Sequence, residues 1–345
     1  MVINESGSSY LPIRSGVPQG AVCSPLLFLV FIDDLFKEVS NPLDVFADDS
    51  TLWTVIPKPS ARSSSALSLN NDLLAIDAWA AKWLVKYNHS KTETLIISTN
   101  QDMSSFRNSN PLTAKGHYSD STPCPHPPLC FGDIKLPESP SFKVVGLTFS
   151  DNLRWNKHVQ ITTQKANRAL AHLNRARAVL DKPSLFKLYK SHVRSTMEYC
   201  SPIWMGASNT SIALLDRVQT KAAKLIGPKA ILLPSLSHRR DVDALSAMHR
   251  IVHRSAPEPL LSLRPAQTTR RRSARLGPPT VFVEPRVDSV KAHYWIRSFI
   301  PLLTVAWNKL DPDIQNTTDL RKFKNIIKNK TLNISFYQLK QQLVS

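Results

Sequence analysis

Leu43-Asp44-Val45-Phe46-Ala47-Asp48-Asp49-Ser50-Thr51-Leu52-Trp53 sets two apolar, strand-like arms around an Asp-Asp pair. That pattern predicts a tight antiparallel hairpin with two carboxylates at its tip. Carboxylates held on a rigid tip are hard oxygen donors for Mg²⁺, and a two-ion site can clamp the attacking and leaving oxygens of an in-line phosphoryl displacement. The plainer explanation is that turns favour aspartate for backbone reasons, so the neighbouring segments have to decide. Asp33-Asp34, embedded in Phe31-Ile32-Asp33-Asp34-Leu35-Phe36, is an internal control. Helical periodicity suits it better, and adjacent side chains on a helix diverge by about 100°, so this pair is assigned a structural role.

Upstream stands Ser15-Gly16-Val17-Pro18-Gln19-Gly20, with Ser24-Pro25 opening a helix. Gly16 and Gly20 let backbone approach a ligand, Pro18 stiffens the loop, and Gln19 offers both donor and acceptor to a base or sugar. Taken alone, a Gly/Pro turn is commonplace.

Charge narrows the partner. Lys+Arg 44 against Asp+Glu 26 leaves a net +18, a balance suited to a phosphate backbone. Residues 1–156 hold 12 basic and 15 acidic residues, and 157–345 hold 32 and 11, so the basic surface is expected in the second half. The densest apolar run, Leu26 to Ile32, stops at Asp33, short of a membrane span. The first residues carry neither a basic n-region nor an apolar h-region. A nuclear or cytoplasmic protein, neither secreted nor membrane-anchored, is the expectation. Cys23, Cys124, Cys130 and Cys200 read as structural thiols. Cys124, His126 and Cys130 could supply soft metal ligands, but their spacing is unlike a zinc knuckle. Arg270-Arg271-Arg272 with Arg275 reads equally as a nucleic-acid contact, an import signal or a solvated loop.

Along the chain, residues 1–100 mix strand-like and helix-like patterns, and 101–140 are rich in Ser, Asn and Pro and read as a linker or insertion. Three amphipathic helices are predicted next. The first has Ala166, Leu170, Leu173 and Leu180 on one stripe and Lys165, Arg168 and Arg175 on another, a face that can meet phosphate. The second starts at Pro183-Ser184 with Leu185, Tyr189, Val193 and Met197 inward. The third carries Ile212, Leu215, Val218, Ala222 and Leu225 and ends near Gly227-Pro228. Beyond residue 230 the pattern weakens until a helix-like segment at Leu320 to Lys330.

Gly16-Val17-Pro18-Gln19-Gly20 with Ser24-Pro25-Leu26, followed by Phe46-Ala47-Asp48-Asp49, resembles the paired palm motifs of reverse transcriptases, in the spelling of non-LTR retrotransposons of the Jockey and CR1 type. The resemblance continues in order. Trp83 to Asn88 with Lys91-Thr92 is similar to the next palm motif. Val145-Gly146-Leu147 to His158 is similar to the primer-grip hairpin and thumb entry. Leu188 to Ile226 resembles the helical region after the thumb, and Arg297-Ser298-Phe299, Trp307-Asn308 and Phe323-Lys324 resemble the C-terminal end.

The resemblance implies an α/β (α+β) chain, with a truncated palm bearing a short antiparallel sheet (1–100), a loop-rich linker (101–140), a primer-grip-like hairpin and helical thumb (141–230), and a basic, mostly helical C-terminal region (231–345). It implies an RNA-directed DNA polymerase working on an RNA template, a DNA primer and deoxynucleoside triphosphates. Asp48 and Asp49 then bind Mg²⁺ in a two-ion site. Gly16, Pro18, Gln19, Gly20, Phe46 and Ala47 line the template and nucleotide pocket, and Lys91 stands near the incoming triphosphate. Lys165, Arg168 and Arg175 remain the candidate nucleic-acid contacts. The family has a further metal-binding aspartate on an earlier palm strand, and only fifteen residues precede Gly16 here, so fingers and that aspartate are expected to be missing. The competing expectation is a catalytically inactive remnant that still holds nucleic acid. A group II intron maturase shares the palm motifs but fits Val218 to Ile226 less well.

Overall fold

The computed structural model describes residues 2–3, 6–7, 16–18, 20–98, 107, 112–113, 115, 117, 119, 126–228, 233–267, 282–284, 298–329 and 339. Gln19, Ser15, Cys124, Arg270-Arg271-Arg272, Arg275 and Arg297 therefore lie outside the described residues. The chain mixes helices with short antiparallel hairpins, an α+β arrangement, and divides into two compact units: 1–96 with 100–140, and 97–99 with 141–345.

In the first unit a minimal strand pair, β1 (Val2–Ile3) and β2 (Ser6–Gly7), precedes helix α1 (Ser24–Ile32). Proline occupies the first turn of α1, where its missing N–H costs nothing. The helix tightens into a 3₁₀ turn over Asp33–Lys37. Asp34 Oδ1 there accepts the Trp79 indole N–H at 2.8 Å, the structural role expected of that pair.

Strands β3 (Leu43–Phe46) and β4 (Asp49–Leu52) form the hairpin, in the register Leu43↔Leu52, Asp44↔Thr51, Val45↔Ser50, Phe46↔Asp49. The turn is one residue off the expected Asp-Asp. Its two loop residues are Ala47, at φ 53°, and Asp48, while Asp49 already pairs in the ladder. A two-residue hairpin needs positive φ at its loop to match strand twist, and here alanine adopts it.

Helix α2 (Arg62–Trp83) packs Leu73, Ile76 and Trp79 against Ile32, Leu35, Leu43 and Phe131. Phe131 comes from a small hairpin, β5 (Cys130–Phe131) and β6 (Ile134–Lys135), whose edge is fastened to α2 by Asn70. That side chain accepts the Cys130 N–H at 2.9 Å and donates to the Pro128 carbonyl at 3.0 Å.

The second unit begins with β7 (Ser141–Val144) and β8 (Leu147–Ser150), followed by α3 (Asn156–Ala176). The next helical segment is one continuous run: α4 (Lys182–Leu188), a π-helical stretch over Tyr189–Arg194, and α5 (Ser195–Glu198). Asp181 caps it, accepting the Ser184 N–H at 3.0 Å. After α6 (Ser201–Trp204) comes α7 (Asn209–Ile226), stopped by Gly227 at φ 81°. Leu185, Tyr189, Val193, Met197, Leu215, Val218 and Ala222 are all essentially inaccessible and share one core with α3, so the three predicted stripes fold as read.

Beyond residue 230 the sequence reading needs correction, since a second core stands where the pattern weakens. Helix α8 (Leu236–Val252) packs against α10 (Phe299–Asn308) and α12 (Leu320–Asn329), with the shorter α9 (Glu258–Leu261) and α11 (Pro312–Gln315) between them. Met248, Leu302, Leu303, Trp307, Phe323 and Ile327 fill it. Two features hid it from periodicity. Helix α10 is apolar almost all round because it is buried on nearly every side, and α8 buries Arg240, Asp241, Ser246 and His249 among its apolar residues.

Candidate active site

The alternation along β3 points Leu43 and Val45 toward the core and Asp44 and Phe46 away from it. Register carries this across, so Asp49, opposite Phe46, shares the outward face with Thr51 and Asp44. Asp48 and Asp49 are both exposed, one in the turn and one on the first rung. Asp44 is already committed, accepting the Trp53 indole N–H at 2.8 Å.

Three polar anchors fix where this hairpin points. Asp72, buried on α2, accepts the backbone N–H of Ser40 and of Asn41 at 2.8 Å each and the Asn41 side-chain amide at 2.6 Å, clamping the chain just before β3. Tyr87 reaches Ser50, the neighbour of Asp49; burial pushes its phenol up, partly offset by the Ser50 hydrogen bond. Pro42 O accepts the Trp53 N–H at 3.1 Å, closing the base. Sequence reasoning missed Asp72, although an aspartate on the buried stripe of an otherwise apolar helix is a signal that it caps something.

Tyr87 also ties Lys91 to the hairpin strand. Four residues on, Lys91 ends a 3₁₀ turn that starts at His89, and its N–H bonds Asn88 O at 3.0 Å. His89 anchors this turn: its ring lies 4.4 Å from the Phe131 centroid, and its Nε2 is 3.5 Å from Asp77 Oδ1. Lys91 itself is exposed. Trp83 packs, edge-on to Phe31 at 5.8 Å.

The glycine loop precedes α1 in the same unit. Gly16 and Gly20 sit at φ 90° and 85°, and a Cβ built on either meets nothing within 4 Å. Backbone conformation, not crowding by the chain's own atoms, is what demands glycine there, and the space beside it stays open. Pro18 O accepts the Ala21 N–H at 3.3 Å and the Ser24 hydroxyl at 2.6 Å, fastening the loop to the start of α1.

In the second unit Lys165, Arg168 and Arg175 are exposed on α3, together with Gln160, Gln164, Asn167, His172 and Asn174. No acidic residue occurs between Asn156 and Leu180. Such a face of cations and amides suits phosphates and sugars. Sequence reasoning also missed the residues that hold the adjoining hairpin. His158 Nδ1 accepts the Thr148 N–H at 3.2 Å, while burial and then the charge of Lys165 pull its pKa down to about 4, so it stays a neutral acceptor. The Tyr199 hydroxyl donates to Val145 O at 2.9 Å, and a Cβ on Gly146 would lie 3.1 Å from its ring.

Among the described residues no three His, Cys, Asp or Glu side chains converge as a metal site. Asp48 and Asp49 have the hard-oxygen chemistry Mg²⁺ prefers and supply part of a donor set. His126 is occupied by the Pro127 carbonyl at 2.8 Å and faces Glu138 at 3.9 Å. No helix among the described residues is long and apolar enough to cross a membrane.

Comparison with known proteins agrees with the motifs. The family described as reverse transcriptase (RNA-dependent DNA polymerase) matches residues 1–149. The probable RNA-directed DNA polymerase from transposon X-element of Drosophila melanogaster is 24% identical over 222 residues, 62% of this chain and 22% of that protein. Its counterpart from transposon BS in the same organism is 26% identical over 202 residues, 56% and 19% of the two chains. The RNA-directed DNA polymerase from mobile element jockey of Drosophila melanogaster is 23% identical over 230 residues, 64% and 22%. The chain thus spans about a fifth of the length of these curated relatives. No solved structure matches it. The chain is related to the reverse transcriptases of non-LTR retrotransposons, and residues 1–149 are its reverse-transcriptase part.

Proposed function

We propose that this chain contributes the catalytic hairpin of an RNA-directed DNA polymerase that extends a DNA primer on an RNA template. The observation that carries the reading is the exposed Asp48-Asp49 pair on a rigid two-residue hairpin, inside the segment that matches the reverse-transcriptase family. Asp48 and Asp49 would hold Mg²⁺, which when bound lowers the cost of charge developing on the transferred phosphoryl group. Strained backbone at Ala47 fixes the angle between the two carboxylates, since alanine keeps a positive φ only where the surroundings impose it. Lys91 is placed to neutralise the leaving pyrophosphate of an incoming deoxynucleoside triphosphate.

The open space beside Gly16 and Gly20 admits a base or sugar against bare backbone, with Pro18, Gln19, Phe46 and Ala47 as its neighbours. Residues 1–100 are the palm, 101–140 a linker, 141–230 the primer-grip hairpin and thumb, and 231–345 a basic C-terminal region. In the thumb, Lys165, Arg168 and Arg175 bear on phosphates of the template and primer. Work on element RNA places the protein in the nucleus, the cytoplasm or both.

Primer extension on a homopolymer RNA template with Mg²⁺ tests the assignment. Asp48→Ala is expected to abolish incorporation by removing charge stabilisation worth at least about 100-fold in rate. Incorporation untouched by Asp48→Ala would overturn it. If neither chain incorporates while both retain RNA, a nucleic-acid-binding remnant replaces the polymerase reading.

A further inference from the structure

The second unit holds more cationic surface than α3 uses. Glu198, at the end of α5, is shared by two arginines: Arg239 of α8 engages both its oxygens, with Nη2 to Oε2 at 2.8 Å, and Arg194 Nε lies 3.7 Å from Oε2. That distance is too long for a hydrogen bond, and the Arg194 Nε is buried without a partner. Each guanidinium carries more donors than half a carboxylate can accept. The two charges also work against each other, because burial and then the charge of Arg239 pull the Arg194 guanidinium below its ordinary range.

The same charged group continues onto α12. The imidazole of His238 on α8 contacts the Lys328 carbonyl at 3.1 Å, and Asp243 on α8, raised chiefly by burial and then by Glu198, lies within the field of Arg239, Lys324 and Lys328. Four cations, Arg194, Arg239, Lys324 and Lys328, thus face two carboxylates, Glu198 and Asp243. Behind them Arg240 is 4% exposed, has Asp216 at 3.5 Å and keeps an unpartnered Nη1. Exposed Arg321 and Lys322 extend the cationic side, and no acidic residue follows Asp319 in the chain.

We infer that this seam of Arg194, Arg239, Lys324 and Lys328 across α5, α8 and α12 is a second docking site for the phosphodiester backbone of nucleic acid, carried on elements other than α3. A polyanion relieves the excess positive charge that the two carboxylates leave, and it needs no base contacts to do so. The inference rests on the proposed reading only in taking nucleic acid as the ligand; it does not require catalysis.

Salt titration reads it out. Binding of fluorescein-labelled oligo(U) and oligo(dT) of about 20 nucleotides is measured between about 50 and 200 mM salt. For single strands each phosphate contact contributes about −0.7 to the slope of log K against log[salt], so Lys324→Ala/Lys328→Ala is expected to flatten the slope by about 1.4 and to weaken binding about 10-fold or more near 0.1 M salt. Lys324→Arg/Lys328→Arg should restore both, and Lys165→Ala/Arg168→Ala on α3 should add its own loss independently. Loss on both oligomers identifies the backbone common to RNA and DNA, and loss on oligo(U) alone identifies RNA as its source. An unchanged slope in the alanine pair overturns the seam, as does an arginine pair that loses as much as the alanine pair. Primer extension failing while the slope depends on these lysines sinks only the polymerase reading; extension succeeding with an unchanged slope sinks only the seam.

Discussion

The two units spend their apolar residues differently. In the second, Trp204, Tyr189, Phe282, Trp307 and Phe323 are all fully buried. In the first, α1 leaves Leu26, Leu29 and Val30 more than half exposed, and the core rests on a short set around Leu35, Trp79 and Phe131. What the first unit lacks in packing it replaces with directed polar ties: Asp72 to the chain before β3, Asp34 to Trp79, Asn70 to the β5 edge. Packing makes a rigid body, whereas single ties aim individual loops. The proposed chemistry sits on the tied unit, in keeping with functional groups on loops and turns that a scaffold positions.

The contrast is easiest to break at its heavy end. Trp307→Ala should cost about 3–5 kcal/mol, read as a fall in the denaturant midpoint and as lost amide protection in α8, α10 and α12, while amides of residues 43–52 keep theirs. Loss of protection in both places would mean that the units unfold together and that the distinction has no energetic content.

Acid sharpens it next. His158 is neutral in the folded chain, with its pKa lowered from 6.5 to about 4. Between those values the unfolded chain binds the extra proton, so stability falls as pH drops from 6.5 toward 4 and is insensitive to this group above 6.5. Amides of residues 141–150 should exchange faster across that window, and His158→Gln should remove its share of the slope. An identical pH profile in the variant would show that the hairpin does not depend on this imidazole.

The smallest effect belongs to the catalytic turn. Ala47→Gly relieves a left-handed backbone and should stabilise the first unit by about 1 kcal/mol, seen as slower exchange of residues 43–52. If exchange there is unchanged or faster, the turn is not strained as described.

Much of this was legible in sequence where one local rule governs. Strand alternation on either side of Asp48-Asp49 gave the hairpin, and the stripes through Ala166, Leu185 and Leu215 gave three helices, because each buries one face against a single core. The turn was misplaced by one residue because aspartate is the usual turn former, yet tertiary context put Ala47 in the left-handed position instead. Asp72, His158 and Tyr199 were invisible as anchors, since their partners lie 31, 10 and 54 residues away in the chain and no periodicity records such a pairing. The core around Trp307 escaped for the opposite reason, because a helix buried nearly all round has no polar face to give it a period.

The π-helical stretch over Tyr189–Arg194 has a consequence for how this protein can change. Successive residues on a helix advance about 100°, so a π stretch amounts to one residue accommodated without breaking the rod. Deleting a single residue there would restore a plain α-helix and swing everything after it by roughly that angle, carrying Glu198 away from Arg194 and Arg239, and Tyr199 away from the Val145 carbonyl. Substitutions within the stretch are local events, but a one-codon loss is a rotation of everything that follows it. This segment should therefore keep its length more faithfully than its composition.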